Sequence, residues 1–398
     1  MNTEVLLRQA LGEQAAEQGP LGSGFADRVL AVRRRRRARA LAAGAAATVA
    51  AVILGVGVPL LNSGERDVRP SSQTVPRDVE GHPDQSPPRE RLSAGRTLLA
   101  AYYTSALKEH GDGTAHRERT YSLLDPDTGR YEKDDRWSFV AVAPGARTAA
   151  VLERELPANR IGLLDLATGR VERWIKVDRG VGGLAFAPDG QRLVATAYTD
   201  HPEMYEVERA PASSSASEAP SSRSGFCIVD LRDGAVRWSE VATGHTLPGA
   251  RADFTFGRDG TTVSGPVWGA PATLQAFYDL AGRSIVASPG ERHLNADVGA
   301  KQSPDGTLAA GGRVGGDMGE SYSELLDART GERATKVRGA ELLAWVDQRR
   351  LIAWEWDKDG RRLVLVTVGS DEVVRLSGAG QPMGRDFAEG WQPVFTTW

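Results

Sequence analysis

Hydrophobic positions follow two regimes along these 398 residues. From Ala40 to Leu61 no charged residue, Asn or Gln occurs. A helix of that length reaches roughly 33 Å, enough for a bilayer core, so the pattern predicts one transmembrane helix over 40–61. From Leu98 onward apolar and polar positions instead alternate in short runs separated by Asp-Gly and Thr-Gly pairs, the pattern of strands and tight turns. Between the two regimes, residues 62–95 hold Pro70, Pro76, Pro83, Pro87 and Pro88 among polar residues. They read as a partly stiff linker that reaches about 100 Å when extended.

A single unit recurs within the alternating region. An apolar strand ends in Asp, and Gly follows three or four positions later, at Asp125, Asp165, Asp230, Asp279 and Asp327. A degenerate sixth copy runs from Leu363 to Gly369. The Asp-to-Asp steps are 40, 65, 49 and 48, and the long step contains a Ser- and Ala-rich insertion over about 201–224, read as a disordered surface loop. A second element lies between the copies, an apolar strand closed by Asp189-Gly190, Asp259-Gly260 or Asp305-Gly306. Asp-Gly favours tight hairpins because Gly tolerates positive φ. Each period then supplies about four antiparallel strands, which predicts a β-propeller blade. The terminal run Trp391–Trp398 is an apolar strand with no later partner and is expected to complete the first blade. The fold expected is therefore all-β, a six-bladed β-propeller over 96–398 with seven blades as the alternative, behind one N-terminal transmembrane α-helix.

Charge orients this plan. Arg33, Arg34, Arg35, Arg36, Arg37 and Arg39 stand immediately before the apolar run, while Arg66 and Arg69 follow it, so the positive-inside bias puts residues 1–39 in the cytoplasm as a basic arm. The propeller is then extracytoplasmic, on a single-pass cell-membrane protein. Eight Arg against four acids give residues 1–40 a charge of +4, and with −3 for the whole chain, residues 62–398 carry −7. An acidic outer region and a juxtamembrane Arg cluster argue against nucleic-acid binding. The arm places Leu7 and Leu11, then Phe25, Val29 and Val32, at helical spacing. Forty residues with so few apolar groups bury no core of their own, so the arm is either an unstructured tail or a docking helix pair for a cytoplasmic protein.

Catalytic constellations are missing from the sequence. There is no GxSxG elbow, HExxH, Walker loop or dinucleotide GxGxxG, and the lone Cys227 excludes CxxC chemistry. Asp125-Pro-Asp127-Thr-Gly129 departs from a calcium loop in its early Gly and its lack of a twelfth-position Glu, and reads as a repeat turn. No catalytic residue, metal site or cofactor is expected. All nine Trp lie in the outer region. Trp345, Trp354 and Trp356 are dense enough to suggest an aromatic platform at a blade rim.

The Pro188-Asp189-Gly190 and Pro304-Asp305-Gly306 turns and the Leu163-Leu164-Asp165 and Leu325-Leu326-Asp327 strands resemble bacterial WD-repeat-like and TolB-like propellers over roughly Arg96–Trp398. The chain departs from strict WD repeats, because no Gly-His to Trp-Asp pairing recurs. Its layout also resembles membrane proteins that accompany extracytoplasmic-function sigma factors in bacteria. The resemblance implies an extracytoplasmic binding, scaffold or sensor module without catalysis, whose ligand is a protein, peptide or cell-wall component. Two alternatives stand beside it. One is an anti-sigma-like regulator whose arm binds a sigma factor; the other is a lactonase-like metal-dependent hydrolase with His293, Asn295 and Asp297 near a central channel.

Overall fold

Alternating segments become paired strands, and every strand pair is antiparallel. The computed structural model describes residues 78–210, 213–218, 221–241, 251–267, 274–316, 319–380 and 390–398. Among these residues there is no helix, and so none long and apolar enough to cross a membrane. The basic arm with Leu7, Leu11, Phe25, Val29 and Val32, the arginines Arg33–Arg37 and Arg39, and the span 40–61 lie outside the described residues.

Strands β1 (Val79–Glu80) and β2 (Ser93–Ala94) lead into β3 (Thr97–Glu109), which pairs with β4 (Thr114–Asp125), and β4 with β5 (Arg130–Asp134). Next come β6 (Trp137–Val142), β7 (Thr148–Glu153), β8 (Ala158–Asp165) and β9 (Arg170–Phe186). β9 serves two neighbours, pairing with β8 mainly through residues 170–176 and with β10 (Arg192–Tyr198) through 181–186. The hairpin β11 (Met204–Ala210) and β12 (Ser213–Glu218) leaves this sheet and joins the outer end of β4, while β13 (Arg223–Asp230) and β14 (Val236–Glu240) continue beside β10. Three further sheets follow, β15 (Thr255–Phe256) to β18 (Ser284–Ile285), β19 (Leu308–Gly315) to β21 (Arg333–Arg338), and β22 (Glu341–Trp345) to β25 (Val373–Arg375). β16 (Thr262–Val267), β17 (Leu274–Asp279), β20 (Tyr322–Asp327), β23 (Arg350–Asp357) and β24 (Gly360–Thr367) lie within them. Finally β26 (Trp391–Thr397) pairs with β3, so the last strand enters the first sheet, as its unpartnered apolar pattern predicts.

The apolar faces are buried between successive sheets. One core joins Leu98 and Leu123 to Val140 and Val151, the next joins Ile161 to Leu193 and Cys227, and another joins Ile228 to Phe254 and Val263. Leu325 and Val337 pack on Leu342 and Val364. The last sheet packs on the first through Trp354, Leu363, Leu99 and Trp391. Antiparallel sheets that follow one another in the chain, with apolar cores between neighbours and the last sheet packed on the first, are the arrangement of a β-propeller.

The repeated aspartates make the turns. Asp125 Oδ1 accepts from Asp127 N at 2.9 Å, while the Asp125 carbonyl accepts from Gly129 N, also at 2.9 Å, with Gly129 at φ 67°. The carboxylates of Asp165, Asp230, Asp279 and Asp327 cap their own turns in the same way. Asp189, Asp259 and Asp305 accept from the backbone two residues on, and Gly190, Gly260 and Gly306 supply positive φ. An Asp side chain thus replaces a missing backbone acceptor, and only Gly takes the following left-handed position without strain.

Two boundaries differ from the sequence reading. The folded region starts at least as early as Asp78, not at 96: Leu92 and Ala94 are fully buried, and Asp78 pairs bidentately with Arg350 at 2.6 and 3.0 Å. Few apolar residues mark this stretch because backbone pairing and single buried side chains attach it. Within 201–224 the chain forms β11 and β12, with Tyr205–Ala210 paired to Ser213–Glu218, so much of the Ser-rich insertion is a sheet extension and not a loop.

Candidate functional site

Strands from four of the five described sheets border one cavity of about 650 Å³. Its wall takes Phe139–Val142 from β6, Leu184–Phe186 from β9, Phe256 from β15, Leu343–Trp345 from β22 and Pro393–Thr397 from β26. These residues are mostly apolar because each strand turns one face to the packed neighbours and its edge to the axis. Tyr103, Tyr121, Arg119 and Arg251 also line it.

The two arginines belong to a buried ionic cluster. β26 follows β3 only as far as Thr104, which lies opposite Thr120, so Arg119 stands where the β3–β4 hairpin outruns its inner neighbour. Arg119 Nη2 donates to Glu203 Oε1 at 2.8 Å, and Arg251 Nε donates to Glu203 Oε2 at 3.2 Å. Arg251 Nη1 also donates to Asp253 Oδ2 at 3.1 Å and to the Gly182 carbonyl. The Tyr198 hydroxyl donates to Asp253 Oδ1 at 2.8 Å. The Arg119 and Arg251 side chains are only 8% and 11% exposed, and Glu203 is 10% exposed. Both guanidiniums lie over the Phe139 ring, 5.7 and 4.8 Å from its centroid.

Backbone contacts hold Glu203 there. Its N donates to His201 Nδ1 at 3.1 Å, and its carbonyl accepts from Arg117 N on β4 at 3.2 Å. Burial alone would push the Glu203 carboxyl up, but Arg119 and Arg251 together reverse this and hold its pKa at about 2. Burial, reinforced by His116 and Arg251, pushes His201 down to about 4. Burial also raises the Tyr198 hydroxyl well above its ordinary value, with Asp253 adding to the shift, so it remains a donor.

Arg223 adds a third guanidinium. It donates to the Ala252 carbonyl at 2.7 Å and to the Pro266 carbonyl at 3.0 Å, and burial lowers its pKa, opposed by the charge of Asp253 among others. Arg119 Nε, Arg223 Nε and Arg251 Nη2 are buried without an acceptor. The cluster therefore holds more cationic hydrogen-bonding capacity than its own acids take up.

Beside it, His201 packs on His116 with centroids 4.7 Å apart, and His110 Nε2 lies 2.8 Å from His116 Nδ1. Among the described residues no group of three or more His, Cys, Asp or Glu has a metal-holding arrangement. His293 lies against the Gly331 turn, and Asn295 Oδ1 caps Asp297 N at 2.9 Å. None of these three lines the cavity.

The three tryptophans separate. Trp345 lines the axial cavity and a second one of about 730 Å³ with Arg96, Asp347, Arg349 and Arg350. Trp354 is fully buried, edge-on to Trp391 at 4.9 Å, and so corrects the rim reading: its strand lies between two sheets. Trp356, two residues on, is partly exposed with Arg313 at 5.9 Å from its ring. Arg119, Tyr198, Glu203, Arg251 and Asp253 were not singled out by sequence reasoning. The only sequence signal is a charged residue in register with the buried Tyr121 on β4.

No protein-family model matches the chain, and no curated protein does. Among solved structures, TolB from Acinetobacter baumannii is 15% identical with a TM-score of 0.36, over 70% of this chain and 67% of its own. The β-propeller domain of the Trilobed protease from Pyrococcus furiosus is 13% identical with a TM-score of 0.38, over 75% of this chain and 83% of its own. A chain of Kuenenia stuttgartiensis hydrazine synthase is 14% identical with a TM-score of 0.36, over 59% of this chain and 64% of its own, so this chain spans less than two thirds of that relative. Likenesses at this level do not extend to function.

Proposed function

We propose that this chain is a single-pass membrane protein whose extracytoplasmic, six-bladed propeller binds a ligand in its axial cavity without catalysis. The observation that carries the reading is the cavity itself, walled by strands from several sheets and lined also by Arg119 and Arg251. Its volume lies in the range of small-ligand sites, about 300–1,000 Å³, and its wall combines an apolar surface with few polar groups. The six-blade reading is supported by the five sheets if the seven-stranded one is taken as two blades meeting at β9, with β26 given to the first. The anchored, N-inside topology is supported by the uncharged run 40–61 and the arginines before it.

The test is cross-linking in native membranes with partners identified by mass spectrometry, comparing the full chain, a chain lacking residues 2–32, and Ala344→Trp, which fills the cavity. A protein, peptide or cell-wall fragment lost only in A344W supports the reading. A sigma factor lost only on removing the arm would replace it with a transmembrane regulator.

A further inference from the structure

We infer that the axial cavity takes an organic anion, a carboxylate carried on an aromatic or branched apolar body, with its charged end at Arg119 and Arg251. This rests on the cavity being a binding site and adds the ligand's class.

Three observations carry it. First, the buried cluster is unequal: Arg119, Arg223 and Arg251 face two carboxylates, Glu203 and Asp253. Glu203 is held ionised, whereas His201 and the Tyr198 hydroxyl are held neutral, so neither neighbour alters the surplus of one positive charge. Second, Arg119 and Arg251 both line the cavity, so the surplus charge of the cluster borders it directly. A buried cation that the protein's own acids do not neutralise carries a desolvation cost, which an anion beside it offsets. Third, the remaining wall is apolar and aromatic, with Phe139 beneath both guanidiniums and Phe256 and Trp345 further along. Such a wall rejects a small hydrated anion and favours one with a body to bury.

A guanidinium pair matches a planar carboxylate better than it matches a point charge, and the surplus charge disfavours a cationic ligand. The neutral counterpart of the same ligand would bury the same apolar area but leave the surplus charge unanswered.

The full chain in nanodiscs is titrated with naphthalene-2-carboxylate and with naphthalene-2-carboxamide, read by calorimetry and by tryptophan fluorescence. The expected result is saturable carboxylate binding at least about tenfold tighter than the amide. Arg251→Gln should bring the two within about twofold, and Ala344→Trp should abolish both. Because the carboxylate–amide comparison uses the unaltered protein, it decides even where Arg251→Gln fails to fold. Equal binding of both, blocked by A344W, overturns the anion assignment and leaves the cavity reading standing. Carboxylate binding indifferent to A344W overturns both, and carboxylate binding weaker than about 1 mM overturns the assignment.

Discussion

Arg119 on β4 donates to Glu203, eighty-four residues later, at 2.8 Å, and both side chains are about nine-tenths buried. The contact ties the first sheet to the segment that leads into the β11–β12 hairpin, and Arg251 joins it from a third stretch of the chain. Removing the carboxylate leaves two guanidiniums buried beside each other. Glu203→Ala should therefore cost about 3–5 kcal/mol, measured as a fall in the urea midpoint at unchanged slope. A loss under about 1 kcal/mol would mean that water reaches the cluster.

Acid should weaken the fold in two successive windows that overlap slightly, between about 4 and 4.5. His201 is held down to a pKa of about 4 against 6.5 in the unfolded chain, so between these values the unfolded chain binds its proton first and stability falls as pH falls. Glu203 is held at about 2 against 4.5, so its contribution is complete above about 4.5 and is lost on the way down to 2. Urea midpoints taken every half unit from about pH 7 to about 3 should decline, and His201→Gln should flatten the decline above about 4.5 while sparing the loss below about 4. An identical slope in the variant would assign the upper window to other groups.

Close approach of backbone to the cluster gives a third test. A Cβ on Gly183 would lie 2.0 Å from Asp253 Oδ1, so only glycine lets Asp253 reach Tyr198. Gly183→Ala should displace that carboxylate and cost about 1–3 kcal/mol. Gly111, where an added Cβ meets nothing within 4 Å, provides the control, and Gly111→Ala should stay within about 0.5 kcal/mol.

The fold was legible because its signal is local and repeated. Each Asp that caps a turn and each Gly that supplies positive φ sits within four residues of its partner, as at Asp125 and Gly129 or Asp189 and Gly190. The ionic cluster has no such signal. Arg119, Glu203 and Arg251 are single charged residues far apart in sequence, and they meet only because β4, the segment after β10 and the segment before β15 converge. Glu203 was hidden further by the Ser-rich stretch that follows it, where composition suggested a loop and pairing with β11, itself paired to β4, made a strand. Trp354 misled for the opposite reason: alternation put it on one face with Trp356, but sequence alone does not tell which end of a strand is covered by the next sheet.

Closure of the ring by the last strand provides the remaining test. Trp391 opens β26, is 4% exposed, and packs on Trp354 of the last sheet at 4.9 Å and Tyr102 of the first at 5.6 Å. Its carbonyl accepts from Arg361 Nη2 at 2.6 Å, and its Nε1 donates to Ser86 Oγ at 3.1 Å. One side chain therefore touches the sheets on both sides of the joint and the segment before β2. Trp398 ends the same strand region at 47% exposure, with one hydrogen bond from Nε1 to the Gly95 carbonyl. Trp391→Ala should cost about 3–5 kcal/mol and raise amide exchange in β3 and in β23 together, whereas Trp398→Ala should cost about 1 kcal/mol or less. Exchange confined to β26 in the Trp391 variant would show that the first and last sheets hold together without it, and that the strand adds a cover and not a clasp.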